Sequence, residues 1–547
     1  MEPAVLVIGC GPVGLFAAYL LGRRGVPTLI IDKHHTRRGQ PKAHALNPRT
    51  LEIFRQSGLD VPHLRSVGID PKLVDVVRFV DNFYGWEYGH LNYERQFDDI
   101  KPLTPEPLLN IVQPAVEEYL LAEVSKLSSV TVQRGVEWLS AHQGENVAVT
   151  SRLLDRASEQ ESTVVTKYIL ACDGGRSTFR SSFDIGFYSI HGGPGTEKNH
   201  VTVHFRAVLP GKRSGILFFN MQPHGVRAFI RYGEDEWVFV RRFDPATESP
   251  AFFDEASCCS IVQEALGRAE PVEILSTTIW QSSTRIAEAY RPATVPNAFL
   301  AGDAAHTFPP TGGLGVNTGF ADIHNLIWKL DIALQGIDSE TLLATYEDER
   351  RPIATQNASQ SSLNEERMDE LGVRINPGGS AQRPERLTDP TFVQQVQEGI
   401  QWNEPHFDSL DLQLGYIYGR SRDPLKNISE FQSTFAVGAR LPHVFIGCTQ
   451  DTSVLDLVQG ERFTLLLPTE EIWLEMKTCL STHLHDWVVA KILGKDFQVS
   501  DSDAGWVHGM FSPSLNRAAL IRPDQHIADF VQSGTALAAA LASFFSK

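Results

Sequence analysis

The residues able to do chemistry in this 547-residue chain gather at glycine-rich turns. The first is Gly9-x-Gly11-x-x-Gly14, within "VLVIGCGPVGLFAAYLLGRR". Gly9 permits a tight turn, Gly11 lets backbone meet a pyrophosphate, and Gly14 lets the following helix pack on the strand. The helix N-terminus adds N–H donors and a positive dipole for the phosphates. Asp32 follows Gly14 at a distance close to the ~20 residues expected of a carboxylate that holds a ribose. A dinucleotide is implied, and these features serve FAD and NAD equally.

The second stretch is "AHTFPPTGGLGVNTG", residues 305–319. Proline fixes φ and lacks a donor, so Pro309-Pro310 makes a stiff wall. Gly312, Gly313 and Gly315 let main chain approach a flat ligand without a Cβ in the way. A helix is expected to begin near Asn317, its terminus favouring negative charge. Two further strands end in acid-bearing turns. "KYILACDGGRSTFR" gives Asp173-Gly174, then Ser177 and Arg180, and "VPNAFLAGDAAH" gives Gly302-Asp303.

These turns need strands and helices to hold them. "AVLVI" and "PTLIID" are short apolar runs of the kind that form buried parallel strands. Residues about 190–285 alternate strand-like segments ("HVTVHFRAVL", "GILFFNMQ", "VRAFIRYG", "EWVFVRRF") with turns, which predicts an antiparallel sheet. Its aromatics Phe218, Phe219, Phe229, Tyr232 and Phe239 suit either an aromatic pocket or plain core. The Pro- and Gly-rich stretch within 376–430 reads as a linker over the surface.

Composition narrows the function. Hydrophobic residues at 42% and charged residues at 21% are those of an ordinary globular protein. The 66 acidic against 49 basic residues, a formal charge of −17, argue against nucleic acid or an anionic membrane as partner. Six cysteines without metal-type or redox-type spacing suit a reducing compartment, and no metal is called for. The apolar N-terminus carries Glu2 where a secretory signal needs basic residues, and "TALAAALASFF" at the C-terminus is too short to span a bilayer. An intracellular, cytoplasmic protein without a membrane span is expected.

Taken in order, GxGxxG, DGxxSxxR and GDAAHxxPPxGGxGxN resemble the flavin-dependent aromatic hydroxylases, the single-component monooxygenases. The resemblance covers residues 1–375 and implies an α/β fold. It comprises a Rossmann-type FAD-binding domain with the antiparallel sheet interleaved as a substrate-binding layer. It further implies FAD as cofactor and NAD(P)H as co-substrate. One atom of O2 would enter a small phenolic or polyketide aromatic by way of a flavin C4a-hydroperoxide. On the same ground Asp32 would hold the adenosine ribose, and Asp303 the ribityl chain. Asp173 and Gly174 would lie by the pyrophosphate and the nicotinamide path, with Gln113 beside the cofactor. Pro309, Gly313, Gly315, Val316 and Asn317 would form the platform under the isoalloxazine, with helix N–H groups at its N1/O2 edge. Lys42 stands where relatives carry arginine, which keeps the cation and loses the bidentate fork.

His44 takes the place of an aspartate that faces substrate in phenol hydroxylase-like relatives. Its ordinary pKa of ~6.5 would let it accept a phenolic proton. The competing reading ties it into the segment covering the flavin. Tyr232 and Arg231 are alternatives, and a regular strand would point only one of them at the ring. Residues 431–547 resemble the thioredoxin-like domain of the phenol hydroxylase branch, with Gln525 replacing the glycine of its RPDG motif. Lacking a cysteine pair, that domain would serve as scaffold or homodimer contact. The rival functions are a flavin oxidase or dehydrogenase, and a flavin-binding scaffold without catalysis.

Overall fold

The computed structural model describes residues 2–36, 44–144, 148–190, 197–222, 225–337, 339–376, 388–422, 427–447, 451–512 and 517–545. Lys42 lies outside them. A five-stranded parallel sheet forms the first layer from β1 (Val5–Ile8), β2 (Thr28–Asp32), β3 (Val130–Arg134), β4 (Tyr168–Ala171) and β5 (Ala298–Leu300), in the order β5-β4-β1-β2-β3. All four β1 side chains are buried, as expected of a parallel strand covered on both faces. The motif residues and their partners lie on or beside five helices: α1 (Pro12–Arg23), α2 (Pro48–Gln56), α3 (Gln113–Ser125), α4 (Leu314–Leu334) and α5 (Glu340–Ile375).

The turn from β1 into α1 demands its glycines. Gly9 sits at φ +105°, and a Cβ there would lie 2.5 Å from the Cys172 carbonyl oxygen. A Cβ on Gly14 would run into the Gly9 carbonyl, so helix and strand could not close. Gly11 is the N-cap of α1, with Pro12 at the first helical position and no side chain capping the helix. The first-turn N–H groups are thus left for a ligand.

The second sheet has seven strands, and two of them come from outside the expected 190–285 segment. Its order is Glu273–Ser282, Lys198–Arg206, Glu236–Phe243, Gly225–Arg231, Leu217–Gln222, Val76–Val80 and Glu87–Asn92. Leu217–Gln222 pairs in parallel with Val76–Val80, so the sheet is mixed rather than wholly antiparallel. Strand alternation sorts the candidate aromatics. Phe218, Phe229 and Phe239 pack with Trp237 against the helix Glu255–Leu266 and are core. Phe219 faces the other way, against Phe79 and Phe407.

The stretch read as a linker is largely built. Its Pro/Gly-rich residues 377–387 lie outside the described residues, but helix Pro390–Trp402 follows, then Glu404–Phe407 and Leu410–Leu414. Phe392, Val396, Ile400 and Phe407 are buried in the core under the second sheet. The C-terminal unit runs β-α-α-β-α-β-β-α, from strand Phe463–Leu467 to helix Gly534–Phe544. Its strands stand in the order Val488–Ile492, Phe463–Leu467, Ala518–Ile521, Ile527–Val531, the first pair parallel and the others antiparallel. The unit is joined to the rest by apolar contact, Trp328 of α4 meeting Phe463 and Phe544 edge-on. No helix among the described residues is long and apolar enough to cross a membrane.

Candidate active site

The N-terminal ends of α1, α3 and α4 converge on a recess lined by Pro12, Ala45, Leu46, Ile111, Gln113, Val116, Val316 and Phe320. This brings together Gln113 and Val316, both singled out by the sequence. Gln113 Nε2 donates to Glu117 Oε1 at 2.6 Å. Pro12 and Gln113 open α1 and α3, and Val316 stands in the first turn of α4, so the starts of three helices border the recess.

The predicted carboxylates stand at or just after the ends of three strands of the parallel sheet. Asp32 ends β2 with its carboxylate oriented by two backbone donors, Cys10 N–H at 2.9 Å and His34 N–H at 2.8 Å. Asp303 is exposed in the short turn after β5, following Gly302 at φ +60°. Asp173 Oδ2 accepts the Phe179 N–H at 3.1 Å, and burial raises its pKa against the hydrogen bonds it accepts. Gly174, at φ +83°, would meet nothing within 4 Å with an added Cβ. Arg180 donates to the Ala304 carbonyl at 3.1 Å and lies over the Phe187 ring, tying the Asp173 turn to the Asp303 turn.

The proline–glycine loop is anchored from behind. Pro309 is buried, and Thr311 Oγ1 donates to the Ser361 carbonyl on α5 at 2.6 Å. Helix α4 starts at Leu314, with Gly313 as its N-cap at φ +62° and no side-chain cap, rather than near Asn317 as expected. Asn317 therefore sits inside the first turns, and its side chain is spent on protein. Its Oδ1 accepts from Asn47 N–H at 3.0 Å and Thr50 Oγ1 at 2.7 Å, while Nδ2 donates to the carbonyls of Gly313 and Ala45. Added Cβ atoms at Gly313 and Gly315 would meet nothing closer than Phe308 at 3.9 Å, so the open side of the loop is where a flat ligand fits. On its other side, Ser361 Oγ and Asn364 Nδ2 of α5 are buried without a hydrogen-bond partner among the described residues.

The sequence leaves His44 open between a base near neutral pH and a residue tied into the segment covering the flavin. His44 Nε2 lies 3.3 Å from Tyr93 Oη, and burial pushes the imidazole down to about 4. Burial and the Glu94 charge hold the Tyr93 phenol well above its ordinary value. Transfer from water disfavours the charged form of either group, so the pair is a neutral hydrogen-bond unit. Tyr232 sits beyond the end of its strand, its N–H bonded to Glu236 O at 2.9 Å and its ring against His204. Arg231 turns to the opposite face, over Trp237.

Sequence reading missed the organiser of the loop. Asp322 of α4 accepts from His306 Nε2 at 2.7 Å, from Arg350 Nε at 2.9 Å and from Gly302 N–H at 3.2 Å. Burial alone would raise its pKa, yet the charges and hydrogen bonds of His306 and Arg350 leave it below the usual carboxylate value. A buried acid inside the apolar run "GFADIHNLIW" was the available signal.

The uncapped helix ends, the cradles only glycine permits and the set of oriented carboxylates together fit a dinucleotide with a flat ring. Residues 2–361 match the FAD binding domain family. The chain belongs to that family. This FAD-binding protein is 30% identical to the tetracenomycin A2 monooxygenase-dioxygenase of Streptomyces glaucescens, over 96% of this chain and 93% of the other. It is 27% identical to the phenol 2-monooxygenase of Pseudomonas sp. (strain EST1001), over 97% and 90%. Among solved structures, the flavin-dependent monooxygenase PieE in complex with FAD and substrate superposes with a TM-score of 0.88 at 27% identity, covering 100% and 99% of the two chains. The FAD-binding protein is accordingly an FAD-dependent monooxygenase with NAD(P)H as co-substrate.

Proposed function

We propose that this monooxygenase inserts one oxygen atom into a phenolic ring of a polyketide-type aromatic substrate. The relatives named for tetracenomycin and phenol oxygenation, aligned over nearly the whole chain, support the ring as target. Within this chain, the observation that carries the reading is the neutral hydrogen-bonded pair His44–Tyr93, whose neighbour Ala45 lines the recess. A phenolic hydroxyl would exchange hydrogen bonds with such a pair, one member able to donate and the other to accept.

Bound FAD, reduced by NAD(P)H, supplies the electrons and the place where O2 is activated. The protein supplies position. Asp32 holds the adenosine ribose, the start of α1 the pyrophosphate, and Asp303 the ribityl hydroxyls. The N–H groups at Gly313–Val316 would bind the flavin ring and favour negative charge on it. Pro309 and the open glycines give the ring a flat, dry wall. His44 and Tyr93 act as a neutral hydrogen-bonded pair that orients the substrate hydroxyl.

We further read the C-terminal unit as thioredoxin-like, with a structural role, on the strength of its four-stranded sheet with one parallel and two antiparallel pairings. The described cysteines are all free thiols, which supports a reducing intracellular setting.

The test is to supply purified holoprotein with NAD(P)H, labelled O2 and a panel of phenols and polycyclic hydroxyquinones. Label incorporated into a ring product is the expected result. Substrate-stimulated NAD(P)H oxidation that yields only peroxide would establish the oxidase reading instead, and no stimulation by any aromatic would favour the scaffold.

A further inference from the structure

The C-terminal unit reaches the flavin loop through one chain of buried side chains. Gln525, only 1% exposed, holds a left-handed backbone at φ +64° that glycine adopts more readily. Its side chain bridges two directions. Oε1 accepts from Arg49 Nη1 at 2.7 Å, and Nε2 donates to the Leu455 carbonyl at 3.1 Å.

Arg49 belongs to α2 and is 2% exposed. It also donates to the Asp524 carbonyl at 2.9 Å and to Glu52 at 3.0 Å. Glu52 in turn is gripped by Arg440 and Thr104. One helical turn further along, Gln56 Nε2 donates to the Pro523 carbonyl at 2.8 Å. The 522–526 segment is pinned from the other side as well. Arg522 pairs with Glu349 of α5 at 2.6 Å, and Asn325 of α4 donates to the same Glu349.

The N-terminal end of α2, where Arg49 also stands, meets the flavin loop. Asn47 caps α2 by accepting the Thr50 N–H at 2.9 Å, and both residues donate to Asn317 Oδ1. Asn317 Nδ2 donates to the carbonyl of Gly313, the N-cap of α4, at 2.7 Å. The link Gln525–Arg49–α2–Asn317–Gly313 is thus continuous and dry.

We propose that Gln525 and Arg49 are positioning residues of the flavin site: through α2 the C-terminal unit sets where the first turn of α4 stands. This rests on the reading of Gly313–Val316 as the platform for the flavin edge. It also accounts for glutamine at a position whose backbone favours glycine. A glycine there would relax the backbone and cut the link.

The test compares FAD holoproteins carrying Gln525→Gly, Gln525→Glu and Gly313→Ala. Three quantities are read: the visible spectrum of bound flavin, the FAD dissociation constant, and thermal stability. Gln525→Gly should hold or raise the Tm while shifting the flavin band and weakening FAD by about threefold to tenfold, the range of one net hydrogen bond. Gln525→Glu keeps the acceptor for Arg49 and should restore the parental spectrum. A purely structural role would make the spectrum and affinity follow Tm. Parental spectrum and affinity in Gln525→Gly, with Gly313→Ala shifted, overturns the positioning role alone. An unshifted Gly313→Ala overturns the platform reading beneath it. Should Gln525→Gly fail to fold, Gln525→Asn, which tolerates the left-handed region and is too short to span both partners, gives the same comparison.

Discussion

His306 Nε2 stands 2.7 Å from Asp322 Oδ2, and neither side chain has any exposure to solvent. With Arg350 on the second oxygen, Asp322 joins the turn that carries Asp303 to the helix that starts the flavin platform. Asp322→Asn leaves a buried guanidinium without its counter-charge. Removing one partner of such a pair costs about 3–5 kcal/mol. Denaturant unfolding of the variant should show a loss in that range, together with reduced flavin content. A loss below about 1 kcal/mol would mean that the triad is not the anchor.

Asp303 and Asp32 make the cofactor prediction. Asp303→Ala removes an exposed carboxylate with no structural burden, so the protein should fold and be depleted of FAD. A charge-assisted hydrogen bond is worth about 1.5–3 kcal/mol, which is roughly tenfold to 150-fold in affinity. Asp32→Ala should weaken FAD similarly at the adenosine end, with a small stability cost because Asp32 also receives two backbone N–H groups. Absorbance at saturation and titration of the apoproteins read both. Full yellow occupancy in each variant contradicts the assignment.

What the sequence could disclose was what local geometry dictates. Gly9, Gly14 and the Asp303 turn are legible because backbone sterics fix both residue type and spacing over a few positions. The strand Val76–Val80 was not, since its membership of the second sheet depends on a parallel partner, Leu217–Gln222, far along the chain. The start of α4 was misplaced for a related reason. The left-handed Gly313 is the N-cap, set by a loop conformation, and Asn317 inside the helix is left to clamp α2. The bond between Arg49 and Gln525 joins residues 476 positions apart, and no local pattern announces it. The weak basicity of His44 is a property of burial, which a motif does not carry.

Glu94 supplies an alkaline signature. Burial first, then the charge of Asp408, raises its carboxyl to about 8 against the hydrogen bond from Gln413. A raised carboxyl contributes stability that is complete below its unfolded pKa of ~4.3 and is lost as pH rises toward 8. Glu94→Gln keeps an oxygen for Gln413 and carries no charge. The variant should gain more than about 1 kcal/mol over the parent at pH 8 and match it near pH 4. Equal stability of the two proteins at pH 8 would refute the raised carboxyl.

His44 supplies the acid counterpart and bears on catalysis. Its folded pKa of about 4 lies below the unfolded value of ~6.5, so the unfolded chain binds the extra proton between those limits. Stability must therefore fall as pH drops from about 6.5 to 4, and buried His200, His406, His443 and His526, pushed down to between about 3 and 4, act in the same direction. His44→Gln should flatten part of that decline while leaving FAD bound. For turnover the consequence is specific. A base with a pKa near 6.5 would give the rate of hydroxylation an acid limb centred there, whereas a neutral His44–Tyr93 pair leaves the rate flat down to about pH 5. His44→Ala should lower product yield by a similar factor at every pH, because an orienting group and not a titrating base is lost. Flavin reduction and product yield measured separately across pH decide it: an acid limb near 6.5 that His44→Ala abolishes would reinstate His44 as a free titrating base.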